Sequence, residues 1–108
     1  MLHLSESERR GRPGAGPGYD EFLRVPSLSA GTYVVPTGGV DDQQPHREDE
    51  VYVVLAGAAR FTGGDETVDV RTGSVLFVPA YENHRFHDVT ADLEVLVVFG
   101  PAETQPAG

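Results

Sequence analysis

One stretch of the chain reads Gln44-Pro45-His46-Arg47-Glu48-Asp49-Glu50 and continues as Val51-Tyr52-Val53-Val54-Leu55-Ala56-Gly57. It places the imidazole of His46 four residues before the carboxylate of Glu50, where a run of apolar residues begins. Because side chains alternate between the two faces of a strand, Glu50 and Tyr52 share one face, and Val51 and Val53 share the other. The stretch therefore predicts a strand with a cation beside its first polar residues.

A second stretch of similar character lies downstream and reads Gly73-Ser74-Val75-Leu76-Phe77-Val78-Pro79-Ala80-Tyr81-Glu82-Asn83-His84-Arg85-Phe86. It contains a hydrophobic strand, a bend marked by Pro79 and a histidine, His84, at the start of another strand. His84 and Phe86 share a face by the same alternation. If Glu50 and His84 both point inward, Tyr52 and Phe86 line the same interior.

Short apolar runs separated by turn residues continue from residue 19 to residue 101, without an apolar period of 3.6 residues over helix length. Gly63-Gly64-Asp65 supplies the positive-φ residues of a tight hairpin. Many short antiparallel strands must close on themselves or pair into two sheets to avoid exposed edges, so the pattern predicts an all-β domain. The predicted strands are Leu28–Val35, Glu50–Leu55, Ala59–Thr62, Thr67–Val70, Val75–Val78, His84–Asp88 and Leu93–Phe99, and Tyr19–Phe22 is either an edge strand or a helical turn.

The two ends differ in composition from the middle of the chain. Residues 5–18 are polar and rich in Gly, Pro and Arg, so they cannot bury enough apolar surface to offset their chain entropy. We therefore expect a flexible N-terminal arm over residues 1–18, a barrel over residues 19–101 and a flexible tail over residues 102–108.

Composition excludes several classes of function. The chain has 108 residues, which suits one small domain. Its formal net charge is -9, and it contains no lysine. Nucleic acid and an anionic membrane surface are disfavoured as partners, because both require a basic face. The absence of cysteine leaves only nitrogen and oxygen ligands for a metal. No secretory signal or transmembrane stretch is present in the sequence, so we expect a cytoplasmic protein.

Together the two stretches resemble the paired motifs of the cupin superfamily. The first motif is matched in spacing by Gly38, Gln44, His46, Glu50 and Gly57, with Gln44 in place of the first histidine. The second is represented by Gly73, Pro79, Tyr81, His84 and Asp88, with Tyr81 in place of a glycine and Asp88 in place of asparagine. The resemblance implies a double-stranded β-helix, or jelly-roll barrel, and a homodimer. Because Tyr tolerates positive φ poorly, we expect the loop before His84 to follow a different backbone path.

The resemblance also implies a divalent metal ion bound by Gln44, His46, Glu50 and His84. Two neutral imidazoles and one carboxylate suit Fe(II) or Mn(II), although Zn or Ni could occupy the site in a purified sample. Gln44 is a weaker donor than imidazole, so it either binds weakly, contacts the ion through water or orients a substrate. The alternative is a barrel that keeps the fold and has lost the ion, or histidines that serve only as hydrogen-bonded or surface residues.

Function follows from the implied site. The leading hypothesis is a small metal-dependent enzyme acting on a compact organic substrate, in the first place an oxygenase, with Tyr52 as a candidate proton donor. Isomerase, lyase or cyclase chemistry, a non-catalytic module that binds or senses a small ligand, and a dimerising scaffold are the alternatives. The predicted pocket residues are all aromatic: Tyr33, Tyr52, Phe61, Phe77, Tyr81 and Phe86.

Overall fold

Six β-strands and one short helix are found in the part of the chain that the computed structural model describes, which comprises residues 1–10, 17–42 and 44–104. The strands pair antiparallel in the order β1-β2-β6-β3-β4, and β5 pairs with β3. The prediction of an all-β chain is therefore confirmed. The elements are α1 (Glu6–Arg9), β1 (Gly18–Val25), β2 (Leu28–Val35), β3 (Asp49–Gly63), β4 (Glu66–Arg71), β5 (Val75–Val78) and β6 (His84–Gly100).

Two long bent strands, β3 and β6, organise the sheet. The first half of β3 pairs with the end of β6 and with β5, whereas its second half pairs with the start of β6 and with β4. Register shifts between Val54 and Arg60 mark the bend. Gly57 lies there at φ 95°, and a Cβ atom on it would come within 2.3 Å of the carbonyl oxygen of Asp92. A side chain is excluded at this close approach, and the bend curls the sheet into a barrel.

The predicted strands differ from the observed ones mainly at this bend. The sequence predicts two shorter strands in place of each of β3 and β6, because small or polar residues interrupt the apolar alternation. The bulges absorb those residues without ending the pairing. The ambiguous N-terminal segment is strand β1, whose partner is β2.

The barrel interior is filled by the inward face of each strand. In β6 the alternation is regular, with every second residue from Leu93 to Phe99 buried and the intervening ones only half-buried. Tyr52 and Phe86 pack edge to face in the interior with ring centroids 5.1 Å apart. The buried apolar cluster consists of Tyr33, Val35, Tyr52, Val54, Ala59, Phe61, Val70, Val78, Phe86, Val89, Leu93, Val95, Val97 and Phe99.

Parts of both predicted flexible ends pack against the barrel. Ser5 and Glu8 form a capping box at the start of α1, and Thr32 Oγ1 donates a hydrogen bond to the carbonyl oxygen of Arg9. At the other end, Glu103 is buried. The remainder of the predicted arm and tail, residues 11–16 and 105–108, lies outside the described residues. Among the described residues, no helix is long and apolar enough to cross a membrane.

Candidate metal centre

Two loops bring the histidines of the two sequence stretches to the same end of the barrel. His46 lies in the loop that leads into β3, and His84 is the first residue of β6. The loops are joined because Tyr81 N donates to the carbonyl oxygen of His46 at 2.7 Å and Ala80 N donates to Asp49 Oδ1 at 2.8 Å. These hydrogen bonds fix the distance between the two stretches.

The structure brings His46, Glu50 and His84 together at this end. All three are buried, and one potential ligand atom from each lies within 4.8 Å of the other two. His84 Nε2 is 2.9 Å from Glu50 Oε1, and His46 Nε2 is 3.9 Å from the same oxygen. Ligands in adjacent positions of an octahedral ion, each about 2.1 Å from it, are separated by about 3 Å. The cluster therefore has the size of a metal site.

The polar atoms of this cluster favour a metal ion or a proton between Glu50 and His84. Among the described residues, neither carboxylate oxygen of Glu50 accepts an aligned hydrogen bond, and His84 Nε2 has none either. Four carboxylates are buried in the described part of the chain, those of Asp41, Glu48, Glu50 and Glu103, and no arginine is buried with them. A buried carboxylate without a partner costs several kcal/mol. A divalent ion would remove that cost, so the residues present fit a metal.

Both imidazoles are oriented with Nε2 toward Glu50. His84 Nδ1 lies 2.9 Å from the carbonyl oxygen of Glu82, which can only accept, so in the neutral ring Nδ1 carries the proton and the lone pair is on Nε2. Burial lowers the pKa of His84, but its close contact with the Glu50 carboxylate outweighs burial and the net pKa is raised. Burial dominates at His46, whose pKa is lowered. A low pKa favours the neutral imidazole that binds metals.

Glu103 contributes to this centre, although its position in the sequence predicts a flexible tail. Its carboxylate oxygen Oε2 is 3.2 Å from His46 Nδ1. Burial, followed by repulsion from Glu48 and Glu50, raises the pKa of Glu103 to about 7. The sequence carries no indication of this role, because the residue follows Pro101 in a segment without apolar periodicity.

Gln44 occupies a different position from the three buried residues. It is exposed, and it lines a cavity of about 400 Å³ together with His84. The cavity is open to solvent, and both polar side chains and apolar surface line it: Asp41, Asp42, Gln44, Pro45, Thr62, Gly64, Asn83, His84 and Arg85. Coordination of a metal by Gln44 stays a prediction.

Four of the predicted pocket residues are packed in the interior instead of lining this cavity. Phe61 and Phe86 pack on Tyr52, and all three are buried. Tyr33 is also buried, and its hydroxyl donates to Asp41 Oδ1 at 2.8 Å. The Tyr52 hydroxyl makes no aligned hydrogen bond with the described residues, and burial followed by the charge of Glu50 raises its pKa well above the ordinary value. Tyr52 therefore keeps its proton beside the candidate metal centre.

The other two predicted pocket residues are exposed. Phe77 is 63% exposed, because β5 turns Val78 inward and alternation directs Phe77 outward. The prediction that Phe77 lines the interior is therefore wrong. Tyr81 is 71% exposed and is not among the residues that line the cavity.

The backbone at Tyr81 also differs from expectation. Its φ is 68°, so the loop retains the left-handed conformation that a glycine would adopt easily, and the expected change of path does not occur. The hydrogen bond from Tyr81 N to His46 holds it there. Asp88, at the position of the motif asparagine, also has a positive φ of 49°. Asp tolerates this conformation better than most residues do.

Asp41 is a further residue that the motif analysis did not single out. Its Oδ1 accepts from the Tyr33 hydroxyl and its Oδ2 accepts from Phe86 N, both at 2.8 Å. Asp41 therefore fastens the loop that carries Gln44 and His46 to β2 and β6. Its position, directly before Asp42 in a polar loop, gave no reason to distinguish it from a solvated charge.

Comparisons with known proteins agree with this fold. A Streptomyces coelicolor protein named as uncharacterized protein SCO3923 is 48% identical over 99 residues, which cover 92% of this chain and 91% of that protein. The crystal structure of TT1209 from Thermus thermophilus has a TM-score of 0.82 at 20% identity, covering 94% of this chain and 99% of that one.

A second similar structure is much longer than this chain. A point mutant of salicylate 1,2-dioxygenase from Pseudoaminobacter salicylatoxidans, in complex with gentisate, has a TM-score of 0.73 at 15% identity. The match covers 81% of this chain and 26% of the dioxygenase. These two structural likenesses bear on the fold, which is the jelly-roll barrel. The sequence pattern of the cupin domain family matches residues 31–99, and the chain belongs to that family.

Proposed function

We propose that this chain is a metal-dependent cupin enzyme that binds one divalent ion through His46, Glu50 and His84 and acts as an oxygenase on a compact polar organic substrate. The observation that carries the proposal is the buried group of two imidazoles and one carboxylate within 4.8 Å. This donor set is the one that non-haem Fe(II) oxygenases use. A bound Fe(II) would offer open positions at which substrate and dioxygen can lie side by side.

The residues around the ion would divide the remaining work. The barrel beside His84 is filled by Tyr52, Phe61 and Phe86, so among the described residues the cavity lined by Gln44 and His84 is the route that we propose for a substrate. Arg85 lines that cavity and offers a guanidinium, which pairs well with a carboxylate or another anionic oxygen of a substrate. Because Asp41 and Asp42 line the same cavity, its chemistry favours a small molecule that offers Arg85 a single hydroxyl or anionic oxygen.

Tyr52 would act from the interior side. Its buried hydroxyl stays protonated because burial and Glu50 raise its pKa, so it can donate a hydrogen bond toward the centre over the whole neutral range. The packed aromatic rings exclude water from that side, which strengthens electrostatic interactions at the ion.

The proposal is tested by oxygen uptake after anaerobic reconstitution. Protein purified without chelator and without a metal-binding tag is loaded separately with Fe(II), Mn(II) and Zn(II), then mixed with a panel of small hydroxy acids, oxo acids and phenols. We expect substrate-dependent uptake with Fe(II), and a change in the Fe(II) spectrum when nitric oxide occupies an open position. His84→Ala should abolish both, whereas His87→Ala, which alters a histidine bonded to Thr62 and Asp88, should not.

Two outcomes would replace the proposal. Consumption of a substrate without oxygen uptake would favour a lyase, isomerase or cyclase at the same metal site. Thermal stabilisation by a compound that is never consumed would favour a binding or sensing module.

A further inference from the structure

The carboxylate of Glu103 lies on the far side of His46 from the candidate metal position. His46 Nδ1 is 3.2 Å from Glu103 Oε2, an ion-pair distance without an aligned hydrogen bond, and His46 Nε2 is 3.9 Å from Glu50 Oε1. Both acids are buried, at 3% and 1% exposure. The imidazole is thus placed between two carboxylates, one from the segment after β6 and one from β3.

Hydrogen bonds on both sides hold Glu103 in this position. Its own N donates to Ser29 Oγ at 2.8 Å. Thr104 donates from N at 3.3 Å and from Oγ1 at 2.9 Å to the buried carboxylate of Glu48. Ala102 N donates to the carbonyl oxygen of Pro26 at 3.3 Å. The segment is therefore attached to the β1–β2 turn and to the loop that carries His46, and these hydrogen bonds fix the position of Glu103.

The chemical consequence concerns the tautomer of His46. A neutral imidazole carries one N–H, and a carboxylate oxygen can only accept. Glu103 Oε2 accepts no aligned hydrogen bond from the described residues, but its negative charge 3.2 Å from Nδ1 favours the proton on Nδ1 and the lone pair on Nε2, directed toward Glu50. His84 reaches the same state by a local route, through the carbonyl oxygen of Glu82. At His46, the carboxylate of Glu103 lies beside Nδ1 as the carbonyl oxygen of Glu82 does at His84.

We propose that Glu103 is a positioning residue that fixes the Nδ1–H tautomer and the ring orientation of His46, so that the segment after the barrel completes the metal centre. The assignment deepens the proposed function and rests on it. Metal binding and docking of residues 102–104 would then be coupled, because each favours the same state of His46.

The experiment separates this role from simple anchoring of the chain. Glu103→Met removes the acceptor and keeps the size of the side chain, whereas Glu103→Gln removes the charge and keeps an acceptor oxygen. Glu66→Met is the matched control, since it removes one exposed carboxylate from the start of β4. For each protein, the tautomer of His46 is determined in the metal-free state by long-range ¹H–¹⁵N correlation at about pH 8, where its lowered pKa keeps the ring neutral. Fe(II) and Zn(II) affinities are then measured by titration.

We expect the Nδ1–H tautomer in the wild type, in Glu103→Gln and in Glu66→Met. Glu103→Met should lose this preference and bind both metals about 10- to 100-fold more weakly. An Nε2–H tautomer in the wild type, or an unchanged tautomer together with unchanged affinity in Glu103→Met, would overturn the assignment. If Glu103→Met does not fold, Glu103→Ala and the wild-type spectrum decide. Should the wild type bind neither metal, the proposed function fails, while the tautomer still shows whether Glu103 orients His46.

Discussion

His84 Nε2 lies 2.9 Å from Glu50 Oε1, although His84 begins β6 and Glu50 stands near the start of β3. The contact forms because β3 and β6 are bent partners and because the loops before them are joined by hydrogen bonds. With the His84 proton held on Nδ1, a lone pair faces a carboxylate oxygen across this distance. Such a pair is repulsive unless a proton or a metal ion lies between the two atoms.

This relationship predicts a pH dependence for the metal-free protein. The pKa of His84 is raised in the folded state, so its contribution to stability is complete below about pH 6.5 and is lost as pH rises through the raised folded value. Glu103 also makes the folded protein less stable as pH rises from 4.5 to about 7, because its pKa is raised to about 7 and the folded protein retains a proton that the unfolded chain releases. His46, whose pKa is lowered, opposes both below 6.5, so the decisive range begins there.

We therefore expect the melting temperature of the metal-free protein to fall from about pH 6.5 upward. His84→Gln should flatten this trend, since glutamine does not titrate. Excess divalent metal should remove or reverse it, because proton release favours metal binding. A melting temperature that rises over this range in the metal-free wild type would contradict the assignment of His84 and Glu50 as a coupled pair.

Gln44 provides a test by gain of affinity. It lines the cavity beside His84 at the position of the first motif histidine. Gln44→His should strengthen binding of Zn(II) or Fe(II) by about tenfold or more, equal to about 1.4 kcal/mol, because imidazole is a better donor than an amide oxygen. Gln44→Ala should change affinity by much less. Equal affinities in the two variants would show that residue 44 does not reach the ion.

Tyr81 is expected to store backbone strain. A left-handed conformation costs a non-glycine residue about 1–2 kcal/mol, and the exposed ring of Tyr81 contributes little packing in return. Tyr81→Gly should raise the free energy of unfolding by about 0.5–1 kcal/mol, after subtraction of the greater chain entropy of glycine. Tyr81→Ala keeps the strain and removes the ring, so it should not stabilise. If denaturant unfolding shows both variants to be less stable than the wild type, the ring and not the backbone decides the choice of residue.

The outer face of the barrel agrees with the expectation of a homodimer, which stays a prediction. Val51 lies between Phe77 and Val98 in adjacent strands, and Val53 lies between Val75 and its β6 partner. Phe77 and Val75 are 63% and 65% exposed. An apolar row of this kind across paired strands favours contact with a second copy of the chain.

Light scattering after size exclusion measures that association. We expect a dimer for the wild type and at least about a tenfold weaker association for Phe77→Ser, because a large apolar side chain leaves the contact. Val40→Ser is the control, since Val40 is equally exposed, at 67%, but lies in the loop after β2. A monomeric wild type, or equal effects of both substitutions, would show that this face is not a dimer interface.

Features that depend on neighbouring residues were predictable from the sequence, whereas features that depend on contacts between distant segments were not. Alternation predicted that Glu50 shares a face with Tyr52 and His84 with Phe86, and the resemblance to the cupin motifs implied that His46 joins them. Strands β2 and β5 have the predicted bounds. The bulges near Gly57 were not predictable, because they depend on pairing between distant segments. Glu103 was missed since its position rests on side-chain hydrogen bonds that leave no periodic trace.

Phe77 shows a different limit. Alternation alone predicts that Phe77 and Val78 point to opposite faces, but it does not say which face is inward. The pairing of Val78 with Glu50 settles that choice, and it becomes known only with the register of β5 on β3.

The most direct test of the central claim is the metal content of the protein and its dependence on the three buried residues. Elemental analysis and titration should find about one divalent ion per chain in the wild type and in His87→Ala. His46→Ala, Glu50→Gln and His84→Ala, each shown to be folded by circular dichroism, should retain almost none. A wild type that binds no divalent ion, or variants that bind it as tightly as the wild type, would contradict the account.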